Sequence, residues 1–267
     1  MDRPSPKEST RSHESGSPTL FVATEGVAAG SFLQRAVAGP IARYVERIWL
    51  ETNNRDDVFQ ILPDGCVDVV FELGADAGKI FAYGSTTRPA LAPLYVGRQY
   101  LGVRFQPGMA RHFLDHSPAA LTDQQIAIDR FLGVDLEKLA RDVRCGAGLL
   151  QIETALLNAL ASCQPDLSLI DRVVRFMLAN HGDVTVTELA SQCGKSVRQF
   201  ERLFVAALGL SPKTFCSILR MRKAMDIIQQ HKQVELAGLA AATGYTDQSH
   251  MNKNFIRLTG RSPGSFR

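Results

Sequence analysis

Apolar positions along this chain follow two rhythms. From about Pro18 to Gly108 they form short runs rich in β-branched and aromatic residues, divided by Gly, Pro, Asn and Asp. Thr19 to Thr24, Tyr44 to Glu51, Val58 to Leu62, Val67 to Leu73, Lys79 to Tyr83, Pro93 to Val96 and Tyr100 to Phe105 are the expected strands, and their spacing predicts a sandwich or small barrel. From Pro107 onward the spacing becomes helical, over Met109 to Asp115, Asp123 to Leu132, Leu136 to Val143 and Leu149 to Ser162. The last of these carries more apolar surface than one face needs, which suits a linker or dimer helix as well as packing on its own domain. Residues 1–17 are polar, rich in Ser and Pro, and expected to be disordered.

Near the C-terminus the helical rhythm occurs twice. Leu189-Ala190, Gly194, Ser196 to Phe204, Gly209, Ser211-Pro212 and Phe215 recur as Leu239-Ala240, Gly244, Asp247 to Phe255, Gly260, Ser262-Pro263 and Phe266. In the first copy Thr185 and Glu188 fit a capping box, Gly194 allows a sharp turn, and Ser196 with Gln199 repeats the capping signal. Two short helices joined at a glycine make a helix-turn-helix, whose second helix enters the DNA major groove. In the second copy Asp247 takes the cap position, whereas no Ser or Thr precedes Leu236. The stretch from Phe215 to about His231 reads as a helix joining the units, which a rigid rod would hold about 34 Å apart, one DNA turn.

These patterns predict an α+β protein of two domains. Residues 18–146 form a β-rich regulatory domain with trailing helices, residues 147–165 a linker helix, and residues 166–267 an all-α domain with two helix-turn-helix units joined by a helix.

The residues left off the apolar stripes carry candidate chemistry. Arg198, Glu201 and Arg202 on the first reading helix, and Gln248, Ser249, Asn252 and Lys253 on the second, are side chains that can pair with base edges, with Arg257 suited to backbone phosphate. Because the two faces differ, two unlike half-sites are expected. Charge agrees: from Asp166 onward there are 14 Lys and Arg against 8 Asp and Glu, net +6, whereas residues 1–165 hold 16 against 19, net −3. A basic domain attracts phosphate in a salt-dependent way. No secretory signal or bilayer-length apolar run is visible, so a cytoplasmic location without membrane attachment is expected. The five cysteines are widely spaced and suit reduced thiols. His112 and His116 have a spacing that can share a metal, but no third ligand stands nearby, so neither metal nor cofactor is assigned.

Residues from about Asp166 to Arg267 closely resemble the DNA-binding domain of the AraC/XylS family of bacterial transcription regulators. The most specific stretch runs from Gly244-Tyr245-Thr246-Asp247 through Phe255 to Gly260, Ser262-Pro263 and Phe266-Arg267. The resemblance implies seven helices and base reading from the helix positions named above. It also implies promoter DNA and RNA polymerase as partners, with activation favoured over repression. Lys195 departs from it, standing where an aromatic or apolar residue commonly follows the turn glycine. Leu62 to Asp68, Gly102 to Gly108 and Leu121 to Gly133 bear a weaker likeness to a sensor domain that precedes this module in some members. It implies control by an unidentified effector or by homodimerisation, with Asp64, Cys66 and Asp68 as candidate effector contacts. Asp64-Gly65 also reads simply as a tight turn between strands. The chain is thus expected to be a transcription regulator and not an enzyme. Two other readings are a DNA-repair alkyl-transfer protein using the same module, which needs a cluster of cysteine ligands, and a small-molecule-binding barrel without a DNA role.

Overall fold

A computed structural model describes residues 30–76, 78–163, 165 and 167–267. The expected strand at Thr19 to Thr24 and the expected tail lie outside the described residues. The first domain is built on a six-stranded antiparallel sheet in the order β1-β2-β7-β4-β5-β8, from β1 (Gly30–Ala36), β2 (Val45–Asn53), β4 (Val67–Leu73), β5 (Lys79–Tyr83), β7 (Gln99–Phe105) and β8 (Gln125–Ile128). A hairpin of β3 (Asp57–Ile61) and β6 (Ala90–Leu94) forms a separate two-stranded sheet.

Strand alternation gives the large sheet two different faces. Val67, Val69, Phe71 and Leu73 of β4 join Leu101, Val103 and Phe105 of β7 and Ile48 of β2 in one buried core. Helices α2 (Leu136–Arg144) and α3 (Gly148–Cys163) close that core with Leu139, Val143, Ile152 and Leu156. Helix α3 occupies the stretch expected to be a linker, and its apolar surplus is divided between this core and exposed Leu150 and Leu157. The intervening residues turn the other way. Trp49, Val70 and Tyr100 pack beneath Phe59 and Leu94 of the hairpin.

Two helical expectations are corrected. Residues 123–132 hold the edge strand β8, paired with β5, because Ile126 and Ile128 alternate toward the core and β5 offers free backbone groups. Met109 to Asp115 narrows to a 3-10 turn, Met109–His112. A short helix, α1 (Pro118–Leu121), capped by Ser117, follows it.

The second domain is helical. Helix α4 (Leu169–Ala179) leads to α5 (Val186–Gln192) and α6 (Val197–Leu208), then α7 (Pro212–Gln230), α8 (Leu236–Ala242), α9 (Gln248–Thr259) and a final 3-10 turn, Pro263–Phe266. Its core collects Phe200, Phe204, Phe215, Met251 and Phe255, all fully buried. Helix α7 starts three residues before the expected Phe215, because Ser211 caps it and Pro212 sits in its first turn. Among the described residues no single helix is long and apolar enough to cross a membrane.

The domains share packing. Leu62 of the first domain lies inside the core of the second. The hydroxyl of Thr122 donates to the Gly209 carbonyl at the end of α6 (3.1 Å), and Arg111 reaches Asp171 in the first turn of α4.

Candidate nucleic-acid interface and ligand cleft

Both helix-turn-helix units close through the same backbone bonds. Thr185 and Glu188 form the capping box of α5, and Ser196 and Gln199 that of α6. Gly194 turns the chain at φ 61°, and Lys195 N–H then donates to the Ala190 carbonyl at 3.0 Å. In the second unit Gly244 turns at φ 75° and Tyr245 N–H donates to Ala240, also at 3.0 Å. Asp247 caps α9 by accepting from His250 N–H, while Glu235 makes no side-chain cap for α8. The units differ at the residue after the glycine. Lys195 is exposed, whereas Tyr245 is buried with its hydroxyl 2.9 Å from the Asn254 side chain. Arg220 of α7 lies over the Tyr245 ring and donates to the Gly244 carbonyl at 2.8 Å, so the joining helix braces the second turn.

On α6, Arg198, Glu201 and Arg202 are all exposed, and among the described residues none makes an ion pair. On α9, Gln248, Ser249, Lys253 and Arg257 are exposed. Asn252 is only half-exposed, and its side-chain oxygen is enclosed without a hydrogen bond. Of the eight side chains expected to contact DNA, seven are thus open and one is a partly covered amide. The C-terminal ends of α6 and α9 face the first domain, since a Cβ on Gly209 would fall 2.4 Å from the Pro118 carbonyl and one on Gly260 would touch Pro89.

Asp64, Cys66 and Asp68 come together on one wall of a cleft between the six-stranded sheet and the β3–β6 hairpin. The cleft and its open mouth together hold about 670 Å³ of space, solvent-filled mouth included. Sequence reasoning did not single out the rest of its lining. Trp49, Phe59, Tyr83 and Tyr100 supply aromatic walls, and Glu51 and Arg104 add charge. Trp49 can lie flat across β7 because Gly102 has no side chain; a Cβ there would sit 2.0 Å from the indole.

Arg104 is the hub. Its guanidinium pairs with Asp64, with Asp68 at 2.8 Å and with Glu46 at 3.2 Å, while Arg47 also pairs with Glu46. Burial draws the Arg104 pKa down to about 10, against the pull of Glu46. Burial pushes Asp68 up to about 7, opposed by the Trp49 N–H, which donates to its carboxylate at 3.2 Å. Burial also raises the Cys66 thiol well above its ordinary value, with the Glu46 carboxylate adding to it, so this cysteine is held as an unreactive thiol. A second hollow shares Asp64, Arg104, Phe59 and Ile61 with the cleft and is closed by Met221, Arg222 and Met225 of α7. Helix α7 and the cleft therefore touch opposite sides of one buried ion cluster.

His112 packs edge-on against Tyr44, and among the described residues no group of three or more His, Cys, Asp or Glu side chains is placed to hold a metal.

Comparison with known proteins finds two separate family matches along the chain. Residues 189–267 match a helix-turn-helix domain family, and residues 36–127 match a domain of unknown function, DUF6597. Over 116 residues the chain is 28% identical to an uncharacterized HTH-type transcriptional regulator of Haemophilus influenzae, covering 43% of this chain and 37% of that protein. Over 83 residues it is 31% identical to the probable transcriptional regulator LumQ of Photobacterium leiognathi, covering 30% of this chain and 32% of that protein. The chain thus spans about a third of the length of these curated relatives. Among solved structures it resembles an AraC-type DNA-binding transcriptional regulator of Chromobacterium violaceum, at 27% identity over 40% of this chain and 93% of that one, with a TM-score of 0.34. ToxT of Vibrio cholerae aligns over 88% of this chain and 97% of its own at 7% identity, with a TM-score of 0.44.

Proposed function

We propose, from the premise that the C-terminal part of this chain is an AraC-type helix-turn-helix domain, that the protein is a transcription regulator that reads two adjacent, unlike half-sites of promoter DNA and is controlled by a small molecule bound in its first domain. The observation that carries the reading is the pair of α6 and α9, two capped helices in one domain with open but different polar faces. Arg198 and Arg202 suit guanine, Glu201 suits cytosine N4, and Gln248 and Asn252 suit adenine. Ser249 suits a less selective base contact, Lys253 guanine or phosphate, and Arg257 the backbone.

Control follows from the segment Leu62 to Cys66. Asp64 and Cys66 line the cleft, while Leu62 sits in the core of the DNA-binding domain and Gly65 presses on Phe215 of α7. A ligand that displaces Asp64 from Arg104 moves the support of the helix joining the two reading units. Such a ligand shifts the population between DNA-competent and weak states by its difference in affinity for them. Contact with RNA polymerase and a homodimer in which exposed Leu150 and Leu157 of α3 meet their counterparts complete this reading, with activation as the favoured sign.

Selection of the full-length protein against randomised duplexes, followed by salt-titrated binding to the enriched sequence, tests it. Two unlike motifs about one helical turn apart are expected, with affinity falling steeply as salt rises. Enrichment of no sequence, with salt-insensitive binding, overturns the regulator reading.

A further inference from the structure

We propose that the cleft between the six-stranded sheet and the β3–β6 hairpin binds an organic cation with an apolar body, an amine or quaternary ammonium, an assignment that rests on reading the first domain as a ligand-binding module. Three features of the lining select that chemistry.

The first is the aromatic lining. Trp49, Phe59, Tyr83 and Tyr100 are among the residues that line the space, and aromatic rings attract a cation, Trp most strongly. Gly102 fixes the orientation of Trp49 by leaving room for its ring against the sheet. The second is Glu51. Its carboxyl lines the same cleft, is half-buried, and has no ion-pair partner among the described residues. Burial raises its pKa, and repulsion from Asp57 adds to that, so a positive charge beside it relieves both costs. The third is the state of Arg104. Two carboxylates, Glu46 and Asp64, and the carboxyl group of Asp68 surround this one guanidinium, which leaves it little attraction for an anion. An anionic ligand entering the cleft instead meets Glu51. Val70, Ala92 and Leu94 cover the remaining wall and accept an apolar body.

Trp49 is the only tryptophan in the chain, so its emission reports occupation of the cleft directly. The probes are 2-phenylethylammonium and benzyltrimethylammonium, the neutral 2-phenylethanol and the anionic 3-phenylpropanoate, titrated into full-length protein and checked by calorimetry. Both cations are expected to bind at least about tenfold more tightly than 2-phenylethanol, with 3-phenylpropanoate weakest. Glu51→Gln should shrink the preference for cation over alcohol to about twofold or less, and Glu51→Asp, which keeps the charge, should retain most of it. Equal binding of alcohol and cations, tighter binding of the carboxylate, no response to either cation, or an undiminished preference in a folded Glu51→Gln protein overturns the proposal. Sequence-selective DNA binding measured on the same preparation separates the two claims. If it persists while the cation preference fails, only the ligand class falls; if it is absent while the preference holds, the regulator reading falls instead.

Discussion

Arg111→Ala removes a first-domain side chain, yet its cost should appear in the second domain. Asp171 is fully buried in the first turn of α4. One carboxylate oxygen is satisfied by the backbone N–H and hydroxyl of Ser168, at 2.7 and 2.9 Å. The other receives Arg111 Nη2 at 2.5 Å. Removing one partner of a buried ion pair costs about 3–5 kcal/mol, because the remaining charge stays desolvated. Here the Arg111 side chain is 17% exposed and the capping bonds survive, so water and Ser168 recover part of that loss. We expect about 2–3 kcal/mol, read as a shift in the denaturant midpoint of full-length protein with an unchanged slope. Asp171→Asn disturbs the same contact from the other side, and the double variant should fall short of the summed single effects by about 1–3 kcal/mol. A change below about 0.5 kcal/mol for Arg111→Ala, or strict additivity, would show that the two domains do not dock through this pair in solution.

Three other outcomes follow from the same geometry. Gly65→Ala places a methyl 2.4 Å from Phe215 at φ 82°, so a left-handed backbone penalty of about 1–2 kcal/mol adds to the displaced ring; a melting curve matching wild type would refute the close approach. Asp68 has a folded pKa of about 7 against an unfolded value near 3.9, so its protonated form is favoured by folding and stability declines as pH rises through that window. The decline, and a Trp49 emission change with a midpoint near 7, should vanish in Asp68→Asn, and an emission flat between pH 5 and 8 in the wild type would count against the buried acid. Arg202→Ala should lower DNA affinity by about 1–3 kcal/mol and relax preference at one base pair; equal loss on every sequence would make it a phosphate contact.

The second domain was legible because its signals are local. Ser196 with Gln199, and Asp247 with the amide three residues on, are short-range caps that need nothing from the rest of the chain. The first domain depends on pairing that lies far apart in sequence. Residues Gly30–Ala36 have no β-branched side chain and become a strand only because β2 lies alongside, leaving Phe32 and Leu33 largely exposed. Residues Gln125–Ile128 read as helix until β5 supplies their hydrogen bonds. The cleft shows the same limit. Asp64, Cys66 and Asp68 stand out as a short motif, but Arg104 meets Asp68 only through the register of β4 with β7, and Glu51 and Trp49 join them only through that of β2.

That register also explains why charges lie inside the first domain at all. Strand period two sends Asp68, Arg104 and Arg47 to the face opposite the main core, where the hairpin and the sheet leave a cleft beside Asp68 and Arg104. A purely structural sheet would do better with apolar residues there, since buried ion clusters contribute little net stability once desolvation is counted. The cluster instead borders two features. One is the cleft, and the other is α7 through Met221, Arg222 and Met225. Arg222 is close enough to bear on the charges of Glu46, Cys66 and Arg104 alike, so a change in the charge held at the cleft alters the electrostatic seat of the helix that joins the two helix-turn-helix units. Close packing of Gly65 on Phe215 adds a steric route along the same segment, so Leu62 to Cys66 physically joins the cleft to the core of the helical domain.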